Sequence, residues 1–264
     1  MYIWFKTRYM KQSFTIVTFF ISVICCSQFN ATPIKNWKSN PVPVNEDTLA
    51  AYNNDTQDWT VFLKENEIFA YSERKKVSDT LPFTIIPTEE ERFELSGRRS
   101  VIQVDDGFLV GFYRGEWGGD LYWFSKDGKE KYEIPGGEIV QFIKRDSSIY
   151  AIQGLAHLGL SYGSIINIKK VSKKWVAAEY LKLPFAPGGI DIDSHNNFVI
   201  ITSESLLSVG LNLKIHTLIE HGIWTRGLYP TSLVIKDNIA YIGMRKGVFK
   251  YYLSTGEQEW LMKY

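Results

Sequence analysis

The chain has 264 residues, 45% hydrophobic and 15% aromatic, which is material for one large core. With 30 basic and 29 acidic residues the formal charge is only +1, so the broad positive field that nucleic-acid binding needs is missing. High aromatic and glycine content with little alanine fits an all-β fold.

In chain order, residues 1–27 read as a secretory signal peptide: Lys6, Arg8 and Lys11 precede the apolar run Phe14–Cys26, and small polar residues follow. A retained N-terminal anchor that uses Tyr2, Trp4 and Phe5 is the alternative, although a membrane-spanning helix needs about 20 apolar residues. Both cysteines, Cys25 and Cys26, close this run. The remaining domain therefore has no disulfide, and either cysteine is a candidate to carry a lipid. Residues 28–54, with Pro33, Pro41 and Pro43, read as a leader that joins the fold late through one strand near Val42–Val44.

Residues 55–264 repeat one pattern, in which short runs rich in β-branched and aromatic residues are cut by Asn, Asp, Gly and Ser turns. The first unit starts at Trp59 and includes Val77–Ile86 as later strand material; the others start near Ser100, Glu138, Gly188 and Pro230. The spacing of about 40–45 residues, four strands per unit, is the period of propeller blades. A β-sandwich also has closely spaced strands, but here the same turn types recur in the same order within each unit. The reading is a β-propeller of about five four-stranded blades. The region Pro41–Tyr52 could supply a sixth partial blade or the strand that closes the ring.

Leu253–Trp260 (LSTGEQEW) resembles the Thr-Gly-x-x-x-Trp repeat of the pyrroloquinoline-quinone (PQQ-like) propellers, and Phe124–Tyr132 is similar to a weakened copy. The resemblance implies a propeller whose Gly turns the two outer strands and whose Trp wedges against the next blade. That family holds both quinone-dependent dehydrogenases and non-enzymatic periplasmic scaffolds. With one good copy in a short chain, the resemblance points to the scaffold branch and to no bound quinone.

In a propeller, the loops between strands one and two and between three and four emerge on one face; here they are minimal polar turns. The loops between strands two and three, and between blades, emerge on the other face and are longer. They carry Arg114, Glu116, Trp117, His157, Tyr162, Trp224, Arg226, Tyr229 and Arg245. Aromatic, Arg and His side chains on loops held by a rigid scaffold suit a binding surface. Each also has a plainer reading: Trp117 and Trp224 as inter-blade wedges, Arg114 with Glu116 as a surface ion pair, His157 as a satisfied structural histidine. Asp191 and Asp193 read as turn chemistry, and His157, His195, His216 and His221 lack metal-ligand spacing.

Two functions follow. The favoured one is an exported, monomeric binding or scaffold protein, without cofactor or metal, that recognises a protein or glycan through the long-loop face and meets a membrane only through its N-terminal segment or a lipid. The alternative is a small-molecule hydrolase or lyase with Glu116, His157 and arginines at the channel mouth. The inner strands offer it only Gln103, Gln141 and Asp191 as polar donors.

Overall fold

The computed structural model describes residues 30–72 and 77–263. The expected signal segment and both cysteines lie outside this range. The leader holds β1 (Thr32–Pro33), β2 (Lys38–Asn40) and α1 (Glu46–Asn53). Asn45 caps α1 by accepting the N–H groups of Asp47 and Thr48 at 2.8 and 3.3 Å, and Glu46 and Asp47 lie at the positive helix end.

Five sheets then form a five-bladed propeller. Blade 1 holds β3 (Trp59–Lys64) and β4 (Glu67–Ser72); blade 2 holds β5 (Arg98–Gln103), β6 (Gly107–Tyr113), β7 (Gly119–Ser125) and β8 (Lys131–Ile134). Blade 3 holds β9 (Ile139–Arg145), β10 (Ser148–His157), β11 (Leu160–Val171) and β12 (Lys174–Leu183). Blade 4 holds β13 (Pro187–Ile192), β14 (Phe198–Thr202), β15 (Leu206–Val209) and β16 (Ile215–Ile219). Blade 5 holds β17 (Ser232–Lys236), β18 (Ile239–Met244), β19 (Gly247–Tyr252) and β20 (Gln258–Met262). Blades 2 to 5 pair their four strands antiparallel, in chain order.

Blade 1 departs from the expectation. Val77–Ile86 contains no strand, and the third strand is β1 of the leader, which pairs with β4 at Thr32↔Ala70. The reason lies in the sequence: Pro82 and Pro87 cannot donate to a ladder. Leu81, Phe83 and Ile85 instead pack on Val110, Phe112, Tyr122 and Phe124 of blade 2. The leader also adds β2 to the outer edge of β20 in blade 5. It thus enters the ring at β1 and β2 rather than near Val42–Val44, and Pro41–Tyr52 builds no sixth blade.

Between blades the core is a series of wedges. Trp123 and Trp175 lie in the wedge between blades 2 and 3, Tyr150 and Phe198 between 3 and 4, Trp224 and Trp260 between 4 and 5, and Trp37 and Trp59 between 5 and 1. Gly256, at φ 74°, makes the turn before β20, and Trp260 is fully buried, but it wedges against the preceding blade 4 rather than the next blade that the Thr-Gly-x-x-x-Trp stretch implies.

The inner strands each carry an edge with unpaired backbone groups, which must be satisfied where water is scarce. Side chains from the neighbouring inner strand do this. Ser100 Oγ donates to Val140 O at 2.9 Å, and Gln141 Nε2 donates to Ile190 O at 2.9 Å. Asp191 accepts the Ile235 N–H at 2.6 Å, and Ser232 Oγ accepts the Val61 N–H at 2.8 Å. Between blades 1 and 2 the strap 77–97 closes the circuit: Asp79 N–H donates to Arg99 O at 3.0 Å and its carboxylate accepts the Val101 N–H at 2.9 Å.

Candidate functional site

The long loops meet on one face and are tied to one another around the ring. Glu116 of blade 2 pairs with His157 of blade 3 at 2.7 Å. Ser161 and Ser203 share a hydrogen bond at 2.9 Å between blades 3 and 4, and Gly222 N–H donates to Glu204 O at 2.8 Å. Arg245 of blade 5 pairs with Asp58, just before β3, at 2.8 Å. The loops therefore form a braced deck.

The nine residues singled out by sequence divide into two groups. The first sits over blades 2 and 3. The loop after β6 makes one 3-10 turn, Gly115–Trp117, and Gly118 leaves it at φ 84°. Arg114 is turned inward, paired with Asp120 at 2.5 Å, donating to Glu94 O at 2.8 Å and lying 4.5 Å above the Phe93 ring. It anchors the loop and does not present its charge. The expected Arg114–Glu116 pair is absent; Glu116 turns to His157 instead. Trp117 points outward and is 68% exposed.

Across from it, β10 and β11 run past their neighbours in blade 3 as a two-stranded ribbon paired to His157↔Leu160. At its tip Leu158 is 90% and Leu160 65% exposed. Sequence reading passed over both leucines because leucine is ordinarily core; the available signal was a Gly between them, Gly159 at φ 84°, which makes the tip. Tyr162 braces the ribbon's base by donating to both carboxylate oxygens of Glu138 at 2.8 and 2.9 Å. Burial, then this bond, pushes the Tyr162 hydroxyl up to about 12. Glu138 was not among the expected residues.

The second group sits over blades 5 and 1, and there the structure corrects one expectation. Trp224 is 2% exposed, donates from Nε1 to Thr202 O at 3.0 Å and packs on Phe249. Its 3-10 turn, Ile223–Arg226, folds the ring inward over Gly222, where a Cβ would lie 2.3 Å from it, so Trp224 is a wedge and cannot touch a ligand on this face. Arg245 is held by Asp58 and by Asn53 O at 3.0 Å, with its guanidinium 4.6 Å from the Tyr229 ring. Its pKa is raised, first by the Asp58 hydrogen bond. Arg226 is exposed beside Glu46 at 3.5 Å, and Tyr229 is half exposed.

Among the described residues no group of three or more His, Cys, Asp or Glu side chains converges as a metal site, and no helix is long and apolar enough to cross a membrane. Of the inner-strand donors that a channel site would use, Gln141 and Asp191 are spent on the ring itself.

No protein-family model and no curated protein matches this sequence. Solved propeller structures are similar in fold. Virginiamycin B lyase from Staphylococcus aureus aligns at 15% identity and TM-score 0.45 over 63% of this chain and 56% of its own. A streptogramin B lyase gives 15% and 0.43 over 61% and 52%. The extracellular domain of a hybrid two-component system from B. thetaiotaomicron gives 15% and 0.49 over 78% and 26%. The chain thus spans about half the length of the lyases and a quarter of the two-component domain.

Proposed function

We propose that this chain is an exported binding module that docks a protein partner through the braced face over blades 2 and 3. One observation carries the reading: Trp117, Leu158 and Leu160 stand exposed on two neighbouring loops that the Glu116–His157 pair locks together. Large apolar side chains held rigidly in water mark an interaction surface, because their contact area is released at little entropic cost on binding. Tyr162 and the Glu116–His157 pair supply a polar rim. Export rests on the apolar run Phe14–Cys26, and a non-enzymatic scaffold role agrees with the PQQ-like stretch Leu253–Trp260.

The experiment is affinity capture from an envelope extract with the intact chain and with Trp117→Ala plus Leu158→Ser. The double variant should keep its melting temperature and lose its partner. Undiminished capture by a folded double variant would end this reading.

A second reading rests on the same pair. A carboxylate that orients an imidazole is the arrangement of a general base, so Glu116 and His157 would move a proton in a small-molecule hydrolase or lyase. It ranks below the first because both side chains are solvated, at 47% and 38% exposure.

A further inference from the structure

Two of the loops that the sequence presents as bare turns border a hollow open to solvent. We propose that the plain face of blade 4 carries a binding site for one neutral sugar ring, between the β13–β14 and β15–β16 turns. The cavity holds about 400 Å³ and is lined by Asn197, Ser208, Gly210, Leu211, Asn212 and His216. Small-molecule sites commonly occupy about 300–1,000 Å³.

The register explains why polar groups gather there. Val199, Ser208 and His216 lie opposite one another across β14, β15 and β16, so all three side chains point to one side of the sheet, the side facing blade 5. Nearer the other face that side carries Leu206 and Ile201, which fill the wedge between blades 4 and 5. At the plain end the sequence changes to Ser and His, and the wedge opens into a polar hollow.

The amides at its rim are fixed. Asn197 donates from Nδ2 to Asp193 Oδ2 at 3.0 Å, which turns its own oxygen away from that carboxylate. Asn212 Oδ1 accepts the Lys214 N–H at 3.0 Å, which leaves its Nδ2 to a ligand. Gly210 lies between them: a Cβ there would stand 3.0 Å from Asn212 Oδ1 and 3.7 Å from Asn197 Oδ1. Ser208 Oγ and the His216 ring bond to no other described residue. The lining thus offers both donors and acceptors and no carboxylate, ammonium or guanidinium.

A ligand matched to such a lining carries groups that donate and accept at once and no formal charge, which describes the hydroxyls of a hexose. Leu211, 62% exposed, gives the C–H face of the ring an apolar flank. The site lies on the opposite face from the docking surface and is independent of it.

Saturation-transfer NMR on the full chain tests this, with glucose, galactose, mannose and N-acetylglucosamine as probes and glucuronate as a charged control. At least one neutral sugar should bind with a dissociation constant of about 1 mM, and glucuronate about tenfold more weakly. Ser208→Ala, which removes a hydroxyl, and Gly210→Ala, which fills the hollow, should each weaken binding about tenfold at unchanged melting temperature. If Gly210→Ala perturbs the hairpin, Ser208→Ala decides. Trp117→Ala plus Leu158→Ser should leave sugar binding intact. The proposal fails if no neutral sugar receives saturation, if glucuronate binds equally well, or if Ser208→Ala binds as the unaltered chain does.

Discussion

Asp191 tests how the ring is held together. Its carboxylate on β13 accepts the Ile235 N–H of β17 at 2.6 Å and the Ile192 N–H at 2.8 Å. Asp191→Ala strands the Ile235 amide on an inner edge. Both bonds are partly buried; an unmet amide costs about 1–3 kcal/mol, and the second N–H, that of Ile192, adds the low end of that range. The expected loss is about 2–4 kcal/mol, or roughly 5–15 °C in melting temperature for a domain of this size. Asp191→Asn keeps the shape and one acceptor and should lose about half as much. Burial also pushes the Asp191 carboxyl above its ordinary value, against the pull of the two N–H bonds. The folded state therefore holds this proton more tightly than the unfolded chain. Its contribution is greatest below the unfolded pKa and falls as pH rises from about 4 through the raised value. The advantage of the unaltered chain over Asp191→Asn should shrink across that rise. Urea denaturation followed by tryptophan fluorescence at several pH values, with hydrogen exchange at Ile235, measures both. Asp191→Ala within about 0.5 kcal/mol of the unaltered chain, with Ile235 still protected, would refute the account of the inner edge.

Asp106 should behave in the opposite sense. Burial opposes its ionisation, but hydrogen bonds from Lys170, Trp175 and Trp123 prevail and hold its carboxyl at about 2. Its stabilisation is present above the ordinary value of 3.8 and disappears as pH falls toward 2, so Asp106→Asn should flatten the acid limb of the stability profile. Trp224→Ala should cost about 3–5 kcal/mol in thermal or urea melts as a cavity in the core, whereas Trp117→Ala should stay within about 0.5 kcal/mol. Gly128→Ala should destabilise by about 1–3 kcal/mol, since Gly128 has φ 73° and a Cβ there would lie 2.3 Å from the Phe83 ring. In a double-mutant cycle with Phe83→Ala the steric part of that cost should vanish and the backbone part persist.

The strands of blades 2 to 5 were legible because turn residues such as Lys236-Asp237-Asn238 bracket runs of fixed length, and a hairpin is a local object. Blade 1 was not legible beyond β4. Its third strand is a dipeptide, Thr32–Pro33, brought from the leader, and pairing between segments distant in the chain leaves no periodicity to read. At the site, the grouping of these residues on one face was legible, but the loop expected over Gly154–Gly163 is the paired ribbon of β10 and β11, and the fates of the aromatics were not legible. Trp117 and Trp224 both follow a glycine-containing loop and both sit on a 3-10 turn; one points to solvent and the other into the wedge against Phe249. Composition cannot separate them, because the outcome depends on what the neighbouring blade presents. The polar hollow of blade 4 was hidden for the same reason. Its residues lie in different turns and strands, and only the cross-strand register joins them.

The way the ring closes bears on where chemistry can reside. With five blades the inner strands crowd the axis, and Ser100, Gln141, Asp191 and Ser232 reach sideways to the next strand instead of inward. Such side chains cannot serve a ligand in the channel without releasing a buried or partly buried backbone group, at a cost of up to about 1–3 kcal/mol each. This is why both proposed sites lie at the ends of the ring. The long-loop end is braced by ion pairs and shows apolar side chains, which suits a partner with its own surface to bury. The plain end of blade 4 shows uncharged hydrogen-bonding groups in a hollow, which suits a small hydroxylated molecule. The two proposed sites lie at opposite ends of the ring, so substitution at either end should leave the other unaffected.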